Sequence, residues 1–65
     1  MTAIAEQRMK ADVTQEFVSH KLGIDRSTVA KWETGFSLPR PTMLRRIANL
    51  YGCTVDALLG KEESA

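Results

Sequence analysis

Arg26, Ser27 and Lys31 fall within the segment RSTVAKWETG. They supply a guanidinium, a hydroxyl and an ammonium, which are groups for holding an acceptor-rich or anionic partner rather than for making bonds. If the segment is helical, a turn of 100° per residue puts these three and Ala30 on one side and Val29, Trp32 and Glu33 on the other. The surrounding charge points the same way. Within residues 20–46, Lys21, Arg26, Lys31, Arg40, Arg45 and Arg46 face only Asp25 and Glu33, a balance of +4. Elsewhere Arg8, Lys10 and Lys61 face Glu6, Asp12, Glu16, Asp56, Glu62 and Glu63, a balance of −3. The formal +1 of the chain hides this segregation, and a basic middle is where an anionic partner docks. Such an imbalance also arises by chance in short chains, so charge alone leaves an ordinary solvated face open.

Catalysis is the weakest class. The sequence holds no Ser/His/acid set, no Cys/His pair, no metal-ligand cluster and no Gly-rich phosphate loop. His20 is isolated, and the single Cys53 cannot form an intrachain disulfide, which fits a reducing compartment. The expectation is a chain that is not an enzyme and needs no cofactor or metal. No apolar run approaches the roughly 18 residues of a membrane span, and MTAIAEQRMK lacks the apolar stretch of a signal peptide. A soluble, cytoplasmic protein without a membrane partner is expected.

The elements that must position these side chains are all helical, because helix punctuation recurs and no alternating β-branched run is long enough for a strand. Helix 1 is expected from about Thr2 to Ala11. Helix 2 follows Thr14 as N-cap and stops at Leu22, since Gly23 can take the left-handed conformation that closes a helix. Helix 3 follows Asp25, whose carboxylate would cap free N–H groups, and runs to about Thr34 before Gly35. After the loop GFSLPR, Pro41 occupies the first position of helix 4, which ends at Tyr51 before Gly52. Thr54 caps a short helix 5, Val55 to Leu59. One domain over residues 1–60 accounts for this, with KEESA at 61–65 a charged tail that has nothing to bury.

Core positions follow from the same periodicity: Ile4, Ala5 and Ala11 in helix 1, Val18, Ser19 and Leu22 in helix 2, and Leu44, Ile47, Ala48 and Tyr51 in helix 4. Helix 5 adds Val55, Leu58 and Leu59, with Val13, Ile24, Leu38 and Cys53 filling in. Two charges are out of place. Glu33 lies on the core-facing edge of helix 3, and Arg8 lies within the apolar arc of helix 1, so each explains the other if they pair. An Arg8–Glu33 ion pair tying helix 1 to helix 3 is therefore expected. Phe17, Phe36, Met43 and Leu50 have no assured burial and are candidates for a protein contact.

A helix, a short turn at Gly23-Ile24 and a second helix with one packed and one basic face make a helix-turn-helix. The stretch VTQEFVSHKLGIDRSTVAKWETGFSLPRPTMLRRIANLYGCTVDALLG resembles the phage repressor and Cro-like helix-turn-helix family, the XRE family, and the likeness runs from about Ile4 to Gly60. TQ at the start of helix 2, LGI at the turn, STVAKWETG through helix 3, Pro39 after Gly35, and LYGCTVDALL near the end carry it. Two residues depart from the pattern. Ser19 stands where the family usually has Ala, with a hydroxyl that can bond back to the carbonyl of Gln15, and Phe17 stands where a polar residue is usual.

The resemblance implies an all-α, five-helix, lambda-repressor-like domain that acts as a sequence-specific DNA-binding transcriptional regulator, a repressor. It implies that Arg26, Ser27 and Lys31 read bases in the major groove, with Ala30 letting the helix lie close. Gln15 and the N–H groups opening helix 2 would hold phosphate, as would Thr34, Ser37 and Arg40 with backbone N–H groups near Phe36. The family pairs an Arg and a Glu at the places of Arg8 and Glu33. Members often dimerise near the start of helix 5, which maps to Val55, Asp56, Ala57 and Leu58, with Pro41, Met43 and Leu50 adjoining. The implied partners are double-stranded DNA with a palindromic operator and a second copy of the chain. An antitoxin-like module of the same fold that binds a protein partner is the alternative.

Overall fold

Three threonines start three of the helices. The side-chain oxygens of Thr2, Thr14 and Thr54 accept from the backbone N–H groups of Ala5, Phe17 and Ala57 at 3.2, 3.0 and 3.0 Å. They open α1 (Ala3–Lys10), α2 (Gln15–Leu22) and α5 (Val55–Leu58) in the computed structural model, which describes residues 2–61. Of the expected charged tail only Lys61 is among them; residues 62–65 lie outside the described residues, as does Met1. Between these come α3 (Arg26–Thr34) and α4 (Pro41–Tyr51), the latter with Pro41 in its first turn. No strand occurs among the described residues, so the all-α expectation stands.

The capping of α3 differs from expectation. Asp25 has the extended backbone of an N-cap, but its side chain makes no cap hydrogen bond. Its carbonyl accepts from Thr28 and Val29 instead, so backbone geometry alone starts the helix. The end of α1 was also not legible as a glycine signal. Asp12 takes the left-handed conformation there, with φ 60°, a role that a short polar side chain tolerates better than most.

The core joins Ile4, Val18, Leu22, Val29, Trp32, Leu44, Ile47, Ala48, Tyr51 and Leu58, one stripe from each helix. α2 packs on α3, and α1 bridges α3, α4 and α5. Burying each large aliphatic or aromatic side chain contributes about 1.5–3 kcal/mol, which a chain this small needs from nearly every core position. Val13, Ile24, Cys53, Val55 and Leu59 are half-buried at the margin of this cluster, together with Met43 and Leu50.

Three further expectations are corrected. Leu38 is 68% exposed, and its neighbour Pro39 is buried in its stead: the loop after α3 turns the pyrrolidine ring inward and the leucine outward. Ala57 and Leu58 are core residues and present no surface to a second chain, which leaves Pro41 and Asp56 exposed in the candidate dimer surface and Met43, Leu50 and Val55 half-buried. Ser19 donates to the carbonyl of Glu16 at 2.8 Å, one residue closer than the carbonyl of Gln15. Among the described residues no helix is long and apolar enough to cross a membrane.

Candidate nucleic-acid interface

α3 is braced from behind at one residue. Arg8 Nε donates to Glu33 Oε2 at 2.6 Å and Arg8 Nη2 to Glu33 Oε1 at 3.2 Å, a two-pronged pair with side chains only 14% and 7% exposed. Bidentate geometry fixes direction as well as distance. Arg8 Nη1 also donates to the Val13 carbonyl at 2.8 Å, and Thr2 Oγ1 donates to the Glu33 carbonyl at 2.9 Å. Gln15 Nε2 donates to Glu33 Oε1 at 2.9 Å. Glu33 thus fastens the N-cap of α1, its last turn, and the first turn of α2 to α3. The Glu33 hydrogen bond is the largest influence on the Arg8 guanidinium and raises its pKa, with burial opposing. Beneath the pair, burial and then the Glu33 carboxylate push the Tyr51 phenol up to about 12.

With Val29 and Trp32 buried, the opposite side of α3 is left outward: Arg26, Ser27 and Lys31 are exposed and Ala30 is half-buried between them. Arg26 shares a cleft with Arg8, Thr14, Gln15 and Glu16 at the N-terminus of α2. The first turn of a helix leaves N–H groups without partners in the helix. Thr14 takes those of Phe17 and Val18, so Gln15 and Glu16 supply the donors that an anion in this cleft would meet. The side chain of Gln15 is not a free arm, because its amide is engaged by Glu33. The Glu16 carboxylate is the one acid lining the cleft and opposes an anion there.

The other end of α3 is closed by Gly35 at φ 83°, a left-handed position that suits glycine. The N–H groups of Phe36 and Ser37 both donate to the Lys31 carbonyl, at 2.9 and 3.3 Å, and Gly35 donates to Trp32 at 3.3 Å. Backbone donors near Phe36 were expected to hold phosphate; the helix cap already uses them. Thr34 Oγ1 also donates to the Lys31 carbonyl, at 3.2 Å, while Ser37 and Arg40 stay exposed on the loop. The Phe36 ring is 78% exposed, and the Lys31 ammonium stands over it, 5.7 Å from its centroid. Thr2 was missed as a site residue. The signal was a threonine directly before an alanine-rich helix start, but its bond to the Glu33 carbonyl spans 31 residues and has no local trace. No group of three or more His, Cys, Asp or Glu side chains placed to hold a metal occurs among the described residues.

Two packed helices joined by a short turn at Gly23, the second braced at its back and cationic at its front, define a class: the chain belongs to the helix-turn-helix family, whose model matches residues 4–58. Among curated proteins it is 35% identical over 60 residues to the HTH-type transcriptional regulator ImmR of Bacillus subtilis (strain 168), covering 92% of this chain and 47% of the relative. It is likewise 35% identical over 60 residues to the HTH-type transcriptional regulator AnsR of the same organism, covering 92% and 52%. The HTH-type transcriptional activator BcrR of Enterococcus faecalis is 32% identical over 60 residues, covering 92% and 29%. The chain therefore spans about half the length of two of these relatives and less than a third of the other. All three relatives are transcriptional regulators or activators by name. No solved structure matches the chain.

Proposed function

We propose that the chain binds double-stranded DNA sequence-specifically and regulates transcription, reading the major groove with α3. One observation carries this: the exposed side of the braced helix presents Arg26, Ser27 and Lys31, while its other side is locked by Glu33 and Trp32. An α-helix fits the major groove, and an Arg there can hold guanine O6 and N7 with two bonds. Lys31 and Ser27 would add a base or phosphate contact each. The α2 first turn with Gln15 would position one strand, and Thr34, Ser37 and Arg40 the other end of the helix.

A nine-residue α3 is about 13 Å long at ~1.5 Å per residue and covers about four base pairs, few for a unique site. A homodimer on a palindromic operator, with half-sites about 34 Å apart, supplies the remainder. Its surface would be Pro41, Asp56 and the exposed parts of Met43, Leu50 and Val55. Repression is the simpler sign of regulation, because occupying the duplex is enough to exclude polymerase, whereas activation needs a further contact.

Selection of bound sites from random duplex DNA, repeated with Arg26→Ala, tests this. A loss of roughly 1–3 kcal/mol with relaxed preference at one base pair supports direct reading, and uniform weakening makes Arg26 a phosphate contact. A protein partner, as in an antitoxin-like module, is the second reading; the exposed Phe17, Phe36 and Leu38 favour it. A tightly co-purifying protein together with no DNA selection would replace the first reading by the second.

A further inference from the structure

The most exposed large apolar side chain described, Phe36, sits immediately past the candidate reading helix and does not face solvent alone. Its ring carries the Lys31 ammonium at 5.7 Å, within the ~6 Å over which a cation is drawn to an aromatic face. The backbone builds this contact. Gly35 in the left-handed conformation turns the chain back, and the Phe36 and Ser37 N–H groups both end on the carbonyl of Lys31 itself. Ring and ammonium are therefore registered to each other through the residue that carries the ammonium.

We propose that Phe36 is a positioning residue that sets which base pair Lys31 reads, by holding its ammonium toward the C-terminal end of α3. The assignment rests on the major-groove reading above. A lysine has a long stem and a large rotamer entropy, so an unanchored ammonium spreads its contact over several acceptors. Arg26 and Lys31 are five residues apart, about 7.5 Å along the axis at ~1.5 Å per residue. That corresponds to roughly two base-pair steps of ~3.4 Å each. Leaning on Phe36 keeps Lys31 at the far end of that span, away from the acceptors beneath Arg26. A leucine would fill the same space without an aromatic face, and a tyrosine would keep the face.

The test uses Phe36→Leu, Phe36→Tyr and Lys31→Met, all at exposed positions that leave the core intact. In the free protein, the Lys31 ε-methylene protons of the wild type are expected upfield from the ring current, still so in F36Y, and at ordinary positions in F36L. In selection from random duplexes, F36L is expected to relax preference about two- to fivefold at one base pair, the pair that K31M also flattens. F36L should add nothing in the K31M background, and F36Y should restore the wild-type preference. Met9→Leu, at an exposed position on α1 outside the proposed interface, should leave base preference unchanged. Ordinary Lys31 shifts in the wild type, or equal weakening by F36L on every duplex, would overturn the assignment. A wild type that selects no sequence would sink the underlying reading and the specificity role with it, whereas the shift, measured without DNA, reports the contact on its own.

Discussion

Replacing Glu33 by alanine removes the acceptor of three side-chain donors at once: Arg8 Nε, Arg8 Nη2 and Gln15 Nε2. Breaking a buried pair from one side costs about 3–5 kcal/mol, because the remaining charge stays desolvated. Arg8 keeps its bond to the Val13 carbonyl and its side chain is 14% exposed, so the lower end, about 3 kcal/mol, is expected. At roughly 0.05–0.15 kcal/mol per residue, a chain of this length has only about 3–10 kcal/mol of stability to lose. The melting temperature should fall by about 12–24 °C, at roughly 4–8 °C per kcal/mol for a domain of this size. Urea unfolding followed by far-ultraviolet ellipticity and by the single, buried Trp32 measures the change. Arg8→Ala should cost a similar amount, and the double variant much less than the sum of the two. A loss below about 1 kcal/mol for Glu33→Ala, the value of a solvent-exposed pair, would refute the bracing of α3 from behind.

Three more outcomes follow from individual positions. The Tyr51 phenol is pushed from its ordinary value near 10 up to about 12 in the folded state, so its contribution is complete below pH 10 and is lost as pH rises through 12. In alkaline unfolding curves Tyr51→Phe should flatten that decline, by an amount of order 2–3 kcal/mol; identical wild-type and variant slopes would contradict it. Gly23→Ala should destabilise by about 1–2 kcal/mol through the left-handed backbone at φ 69° alone, since an added Cβ meets nothing within 4 Å. Calorimetry that finds G23A as stable as the wild type would remove that account. Leu38→Ser should change stability by less than about 0.5 kcal/mol, whereas Ile47→Ala should cost about 2–5 kcal/mol; equal effects in denaturant titrations would mean that Leu38 is packed in the core and not turned outward.

The helix frame was legible because its signals are local. Thr14, Gly23, Gly35, Pro41 and Thr54 each act within one turn of where they stand, and the helix boundaries fall on them. The Arg8–Glu33 pair was legible for a different reason: a charge on an apolar arc is costly, and two opposite ones remove each other's cost. What stayed hidden depends on how the chain turns after α3. Whether Leu38 or Pro39 points inward is decided by a non-repeating loop, and periodicity is silent there. The Phe36 and Ser37 amides were read as free donors because the sequence does not show that Gly35 folds them back onto Lys31. On α5 periodicity placed Leu58 in the core, where it lies, while the resemblance also put it and Ala57 on a dimer surface; a helix of four residues has too few positions to separate an interface from a core, and Ala57 is buried as well.

On the proposed function, the exposed side of α3 meets DNA together with the first turn of α2. Titrating the isotope-labelled protein with a duplex recovered by selection, and following every backbone amide by nuclear magnetic resonance, tests it most directly. The largest shifts are expected at residues 14–17, 26–31 and 34–40, growing weaker as salt is raised. Shifts centred instead on Lys21, Arg46, Asn49 and Leu50, with Arg26, Ser27 and Lys31 unmoved, would contradict it.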